Sequence, residues 1–141
     1  HRHTPEWAAK TFPSFGAYAR KFAEIWSAEN QIGLTFAEQN PNAILRIQYE
    51  SLQREPQTTL MKVIRFIGAE CNMSVIEQCV ENASFEKLSG GRAPGEGDAN
   101  SHYRKGIVGD WRNHFTARNM ELFLEQAGEL MAEFSYLNPS D

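Results

Sequence analysis

The residues with the clearest chemical potential lie between positions 103 and 116. Arg104 and Lys105 are adjacent cations, and Gly106 follows them directly. A guanidinium fork, an ammonium group and an unhindered backbone N–H side by side suit a doubly charged phosphate. The segment continues with a second glycine, an acidic residue, two aromatic residues and another cation: Gly109, Asp110, Trp111, Phe115 and Arg112. We therefore predict a phosphate-binding site in this segment.

The distribution of charge favours a site for one anionic ligand. The chain has 14 Lys and Arg residues against 18 Asp and Glu, which gives a net charge of −4. Residues 102–118 contain four cations against Asp110 alone, so this window is +3 and the rest of the chain is −7. A cationic island in an acidic chain is typical of a site for a single anion, and unlike a general polyanion surface.

The bulk composition predicts one globular domain. A length of 141 residues with 41% hydrophobic residues is enough for a core and argues against disorder. No apolar run approaches the roughly 18 residues that a membrane span needs. The two cysteines, Cys71 and Cys79, would be about 12 Å apart along a shared helix, too far for a disulfide. We expect both to be reduced, buried thiols.

The sequence predicts three amphipathic helices and a fourth helical segment, which would position the residues of the predicted phosphate site. Ser14 is a predicted N-cap for a helix that ends by Asn40, and Thr116 is a predicted N-cap for a final helix. Pro56 fits the first turn of another helix, which Gly68 ends. A further helix is expected at about 73–83. Apolar residues recur at helical spacing in the first and last of these: Phe15, Tyr18, Ala19, Phe22, Ile25 and Trp26, then Met120, Phe123, Leu124, Ala127, Leu130 and Phe134.

The remaining segments predict one strand and one loop. The β-branched run Ala43–Tyr49 indicates a strand, and the Gly-rich stretch 89–101 indicates a mobile loop. A single strand cannot satisfy its own backbone groups, so it needs partners. A strand followed by an amphipathic helix belongs to the pattern of a buried parallel sheet. We therefore expect the other strands of that sheet upstream of His1.

The basic segment resembles a known family signature. Arg104-Lys105-Gly106, Gly109-Asp110-Trp111 and Phe115-Thr116 match the R-K-G-x-x-G-D-W-K-x-x-F-T motif of sulfotransferases, with Arg112 in place of the usual Lys. Two further segments are similar to family motifs. Residues 49–56 resemble the Y-E-D and E-N-P segment, and 83–86 resemble T-S-F with Ala83 in place of Thr. The resemblance extends from about residue 12 to the end of the chain.

This resemblance implies a fold, a cofactor and a set of site residues. The fold would be α/β: the C-terminal half of a three-layer α/β/α parallel-sheet domain similar to P-loop NTPases, with residues 1–141 mostly helical. The sulfuryl donor would be 3′-phosphoadenosine 5′-phosphosulfate (PAPS), which leaves adenosine 3′,5′-bisphosphate (PAP). Tyr49 and the T-S-F segment would contact adenine, and the R-K-G segment would bind the 3′-phosphate. The implied cofactor residues are Tyr49, Ser84, Phe85, Arg104, Lys105 and Gly106.

The resemblance also implies what these residues do not supply. The family's phosphosulfate loop, its R-x-P-[RK]-D motif and its catalytic base have no counterpart in this sequence, so we expect the catalytic residues upstream of residue 1. The whole enzyme would transfer a sulfuryl group to a hydroxyl or amine of a small molecule or polymer. Residues 112–121 are similar to the K-x-x-x-T-V-x-x-x-E dimer motif of cytosolic sulfotransferases, with Arg112 for Lys and Ala117 for Val, which implies a homodimer. The resemblance to cytosolic enzymes implies a cytoplasmic location, and a Golgi-type enzyme with an anchor upstream of residue 1 is the alternative.

Two other functions fit parts of the sequence. One is a nucleotide-binding or protein-interaction module without catalysis, which the missing phosphosulfate loop permits. The other is nucleic-acid binding through the basic, aromatic segment 102–118, against which the net charge of −4 and the lack of a second basic patch both argue. A metal site is not expected, because His102 and His114 are twelve residues apart with no second pair of ligands nearby.

Overall fold

The structure, a computed structural model, describes residues 10–137. It divides into two compact units, one made of His1–Ala43 with Gly109–Asp141 and the other of Ile44–Val108. The first unit thus joins two distant stretches of the chain, and the second is the segment between them. The described helices are α1 (Phe15–Gln39), α2 (Tyr49–Arg54), α3 (Pro56–Phe66), α4 (Met73–Asn82), α5 (Phe85–Leu88) and α6 (Ala117–Glu133), with a 3₁₀ turn at Asp110–Asn113.

The two long helices of the first unit begin at the predicted caps. The Ser14 side chain accepts a hydrogen bond from the Ala17 N–H at 3.1 Å, and Thr116 accepts one from Asn119 at 3.2 Å. Such caps satisfy backbone donors that have no partner inside the helix. Helix α1 ends at Gln39, next to the predicted turn at Asn40. The predicted starts of both helices are therefore confirmed.

Helices α1 and α6 pack closely because small residues lie between them. A Cβ on Gly16 would lie 3.0 Å from both Asn119 Oδ1 and Leu122 Cδ1, so only glycine fits this approach without displacement. Ala19 and Ala23 on α1 and the α6 residues Ala127 and Leu130 are buried. Ser27 Oγ donates to the Gln126 carbonyl oxygen at 2.9 Å and fixes the register of the two helices.

An aromatic cluster attaches the end of the basic segment to this helix pair. The ring of Phe115 meets Phe15, Trp111 and Phe123 edge to face, with centroid distances of 5.4, 6.0 and 6.0 Å. Edge-to-face pairs at this spacing are favourable. Phe115 is therefore a packing residue within the first unit, whereas Trp111 remains 43% exposed.

The second unit consists of α2 to α5 and the segment that follows them. Pro56 is the first residue of α3, and Gly68 lies just beyond the end of that helix with φ +71°. Helix α4 covers the predicted 73–83 to within one residue. The Thr59 hydroxyl is buried and donates to the Ser51 carbonyl oxygen at 3.1 Å, which connects α3 to α2. Ile76 on α4 is 1% exposed and is a core residue of this unit.

Two predictions about the second unit are wrong. The strand predicted at Ala43–Tyr49 does not form: residues 44–48 have no regular secondary structure, with extended backbone at Gln48 (φ −82°, ψ 140°), Tyr49 begins α2, and no β-ladder occurs among residues 10–137. Extended backbone becomes a strand only when a neighbouring strand supplies hydrogen bonds. The sheet of the expected α/β fold is therefore not formed by the described residues. Cys71 and Cys79 are free thiols as predicted, but both are exposed because Cys71 precedes α4 and Cys79 lies on its outer face.

No helix within residues 10–137 combines the length and the apolar character that crossing a bilayer would require.

Candidate functional site

All six predicted cofactor residues belong to the second unit. Tyr49 is the first residue of α2 and is 49% exposed. Ser84 and Phe85 lie at the start of α5. Arg104, Lys105 and Gly106 follow the Gly-rich loop in an irregular segment. The structure brings Phe85 against Gly106, and it places Tyr49 on a different element from both.

A hydrogen-bonded corner between α4 and α5 orients Ser84 and Phe85. Ser84 caps α5 by accepting from the Lys87 N–H at 3.4 Å, so its hydroxyl oxygen already has a structural role. Lys87 Nζ donates to Glu81 Oε1 at 2.6 Å and to Asn82 Oδ1 at 3.3 Å. The hydrogen bond from Lys87, together with its positive charge, lowers the pKa of Glu81 from 4.5. These hydrogen bonds connect the end of α4 to α5, whose first residue is Phe85.

Gly106 contacts Phe85 so closely that position 106 has no room for a side chain. Gly106 has φ +63°, in the left-handed region that favours glycine. A Cβ at this position would lie within 2.8 Å of the Cγ, Cδ2 and Cε2 atoms of Phe85. The sequence predicted Gly106 for its unhindered N–H. The structure adds that the aromatic ring packs directly on the glycine, 21 positions earlier in the chain.

The Gly-rich loop runs alongside Arg104 and Lys105 and is held to their backbone. The Arg104 carbonyl oxygen accepts from the Asp98 N–H at 3.2 Å, and the Lys105 carbonyl oxygen accepts from the Gly95 N–H at 2.7 Å. The aliphatic stem of Lys105 passes Gly97, where a Cβ would lie 3.4 Å from its Cγ and Cε. The loop has no regular element, as predicted, and these bonds connect it to the backbone of Arg104 and Lys105.

Arg92 is a residue of this region that sequence reasoning missed. Its guanidinium donates to five acceptors around the loop: Ser89 O at 3.5 Å, Glu96 O at 2.9 Å, Arg104 O at 3.0 Å, Ser101 Oγ at 3.0 Å, and Tyr103 O. Its Cζ also lies 5.4 Å from the centroid of the Phe85 ring. The available signal was a single arginine in a Gly-rich stretch, where backbone carbonyls are the most numerous acceptors for its N–H groups.

The second half of the basic segment, from Gly109 onward, belongs to the first unit. Gly109 has φ +80°, and the 3₁₀ turn follows it. Asp110 accepts from Asn113 Nδ2 at 3.0 Å, and its Oδ2 lies 3.2 Å from His114 Nε2. Asp110 is therefore a turn residue. The Arg112 guanidinium lies 4.6 Å from the Trp111 ring centroid, a cation–π contact.

The local chemistry of the second unit suits a ligand with an aromatic base and a phosphate. The Phe85 ring contacts Gly106, and the cations Arg104 and Lys105 directly precede this glycine in the chain. Cations and backbone N–H groups bind phosphate, and aromatic faces stack on bases. No cluster of three or more His, Cys, Asp or Glu side chains able to hold a metal ion occurs between residues 10 and 137.

Comparisons with known proteins identify relatives of this chain. The family model described as "Sulfotransferase domain" matches residues 7–135. The chain is 34% identical to sulfotransferase 1C2 of Homo sapiens over 91 residues, 58% of this chain and 31% of that protein. It is 33% identical to flavonol 3-sulfotransferase of Flaveria bidentis over 123 residues, 77% of this chain and 37% of that protein. The chain spans about a third of the length of these relatives. No solved structure matches it.

Proposed function

The chain belongs to the sulfotransferase family, and we propose that its part in the reaction is to bind the adenine and the 3′-phosphate of PAPS. The contact between Phe85 and Gly106, next to Arg104 and Lys105, carries this proposal. It places an aromatic surface beside the phosphate-binding residue types within one unit. The bound donor would supply the sulfuryl group, and the residues described here would hold and orient it.

Each of the six residues has a proposed role. The rings of Tyr49 and Phe85 would contact adenine, for which base–aromatic stacking contributes about 1–3 kcal/mol per base in nucleic-acid complexes. The Ser84 hydroxyl, whose oxygen accepts from Lys87, keeps its own proton to donate to the base. Arg104 and Lys105 would form charge-assisted hydrogen bonds to the 3′-phosphate, and the Gly106 N–H would complete the set. Ala83, where the family has Thr, cannot donate a hydroxyl hydrogen bond to the adenine.

The family's α/β fold gives a proposed reason for the absence of a strand at the β-branched run. Residues 44–48 have no regular secondary structure, and no β-ladder occurs among residues 10–137. We propose that this chain corresponds to the C-terminal half of a sulfotransferase domain and that strands from the other half pair with this segment. In the complete domain, that other half would contribute the phosphosulfate loop and the catalytic base. The acceptor would be a hydroxyl or amine, as a relative named for a flavonol illustrates.

We also propose that the protein forms a homodimer through residues 112–121. Several of its residues already have contacts within the chain: Arg112 stacks on Trp111, Thr116 caps α6, and Glu121 accepts from Arg118 at 3.0 Å. Sedimentation velocity at two protein concentrations would test it. We expect dimers that Glu121→Lys dissociates. Monomers in the unsubstituted chain would contradict the proposal.

Calorimetric titration with PAP tests the proposed function. We expect saturable binding, with 5′-AMP weaker because it lacks the 3′-phosphate. Arg104→Ala should weaken PAP binding about 10- to 100-fold, the equivalent of a lost charge-assisted hydrogen bond. Arg118→Ala is the matched control, since Arg118 is an exposed cation of the same type on α6, outside the second unit.

The two ligands and two variants make the result decisive. The proposal is wrong if PAP and 5′-AMP bind equally, or if Arg104→Ala binds PAP as tightly as the unsubstituted chain. Equal losses from Arg104→Ala and Arg118→Ala would indicate a general charge effect in place of a defined phosphate site.

A further inference from the structure

The guanidinium of Arg92 has no donor left for a ligand. Arginine carries five N–H groups, and the five acceptors around the Arg92 side chain are all within the protein. Three of the acceptors lie in the Gly-rich loop, and the other two are the backbone carbonyls of Tyr103 and Arg104. Arg92 is therefore placed to organise the site and not to bind phosphate itself.

Arg92 also connects the two parts of the proposed ligand site. Its guanidinium lies over the ring of Phe85, the proposed adenine contact, with Cζ 5.4 Å from the ring centroid. The same group bonds the Arg104 carbonyl oxygen at 3.0 Å, at the start of the phosphate-binding residues. One side chain thus fixes the aromatic surface and the basic segment relative to each other, and both lie in the second unit.

We propose that Arg92 is a positioning residue that sets the selectivity of this chain for a 3′-phosphorylated adenine nucleotide over one without the 3′-phosphate. This inference rests on the proposed function. Binding groups that are already in place lose less conformational freedom when the ligand arrives, and so bind more tightly. Without Arg92, the Arg104 carbonyl oxygen would keep only its bond from the Asp98 N–H. The ligand would then have to order more of the 104–106 backbone, which would reduce the benefit of the 3′-phosphate.

Lysine should not replace Arg92. A lysine ammonium has three donors from a single point, whereas the acceptors around Arg92 surround a planar fork. Arg92→Lys therefore keeps the positive charge and loses the geometry. A charge effect and a positioning effect can be separated by comparing Arg92→Lys with Arg92→Ala.

The test measures the ratio of the dissociation constants for 5′-AMP and PAP, by calorimetry on the full 141-residue chain. We expect this ratio to fall at least about tenfold in both Arg92→Ala and Arg92→Lys, equivalent to about 1.4 kcal/mol of lost discrimination. The stability control is Thr59→Ala, which removes the buried hydrogen bond from Thr59 to Ser51 in the same unit. This variant should lower Tm and leave the ratio unchanged.

A second readout needs no ligand. The amide protons of Gly95 and Asp98 bond to the carbonyl oxygens of Lys105 and Arg104 beside Arg92. We expect their hydrogen exchange to accelerate in Arg92→Lys and not in Thr59→Ala. Unchanged exchange would overturn the positioning role whether or not the chain binds PAP.

The outcomes of the titration separate the two proposals. An unsubstituted chain that does not prefer PAP would refute the proposed function, and the selectivity of Arg92 with it. A clear preference for PAP that persists in both Arg92 variants would refute only the role of Arg92. A fall in the ratio in Thr59→Ala equal to that in the Arg92 variants would also refute it, because general destabilisation would then account for the effect.

Discussion

Gly106 is the residue at which backbone conformation, packing and proposed ligand chemistry coincide. Its φ of +63° is unfavourable for any residue with a Cβ, and the Phe85 ring occupies the space that a Cβ would need. Its N–H is also the proposed third donor to the phosphate. A change at this one position therefore affects the shape of the site as well as its stability.

We expect Gly106→Ala to lower stability and to weaken PAP binding together. The left-handed backbone should cost about 1–2 kcal/mol, and the contact with Phe85 should add about 1–3 kcal/mol. Urea denaturation and calorimetric titration with PAP measure the two effects. Displacing the Phe85 ring should reduce the affinity for PAP about 5- to 150-fold, since adenine stacking of about 1–3 kcal/mol depends on it.

Gly68→Ala is the matched control for this prediction. Gly68 has a similar φ of +71°, but a Cβ there would meet no atom within 4 Å. It should pay the backbone cost alone and keep full affinity for PAP. Equal destabilisation by the two substitutions would show that the Phe85 contact carries no energetic weight.

At the scale of elements, the corner between α4 and α5 is held by an exposed ion pair. Lys87 donates to Glu81 at 2.6 Å, and this lowers the pKa of Glu81 from 4.5. A carboxyl whose pKa is lower in the folded state adds stability above its unfolded pKa. That contribution is lost as pH falls below 4.5 and through the lower, folded pKa.

We expect Lys87→Met to return the pKa of Glu81 towards 4.5 while keeping most of the aliphatic stem. Carboxyl ¹³C chemical shifts followed against pH would measure the change. Lys21→Met is the control, because Lys21 forms a similar exposed pair with Glu24 on α1, at 2.9 Å. An unaltered Glu81 titration in Lys87→Met would mean that the ion pair does not persist in solution.

Local signals in the sequence predicted the helices, whereas contacts between distant residues could not be predicted from it. Ser14 and Thr116 cap helices because capping needs only the next three residues, and Pro56 and Gly68 mark helix ends for similarly local reasons. Residues 44–48 form no strand, because a strand also needs a partner elsewhere in a sheet.

In the candidate site, too, the local features were predicted from the sequence and the contacts between distant residues were not. The residue types at 104–106 indicated phosphate chemistry from their side chains alone. The packing of Phe85 on Gly106 and the five acceptors of Arg92 depend on how distant segments meet. Backbone carbonyls are present at every residue, so no sequence pattern shows which of them Arg92 will bind.

At the scale of the whole molecule, the distribution of charge favours a site for a single nucleotide over a surface that binds nucleic acid. The chain is −4 overall, and in the +3 window at 102–118 Arg104 and Lys105 belong to the second unit and Arg112 and Arg118 to the first. Binding to single-stranded nucleic acid requires several cations along one groove, and its affinity falls with salt by a log–log slope of about −0.7 per phosphate contact. A single mononucleotide needs only the few donors around Arg104.

We therefore expect no saturable binding of a 12-nucleotide single strand, measured by fluorescence anisotropy at low and at high salt, under conditions in which PAP binds. The rest of the chain carries a net charge of −7, which would repel the flanking phosphates of an oligonucleotide. PAP in the same buffers is the positive control for folded protein. Salt-sensitive oligonucleotide binding that Arg104→Ala and Arg112→Ala each weaken would instead assign the basic segment to nucleic acid.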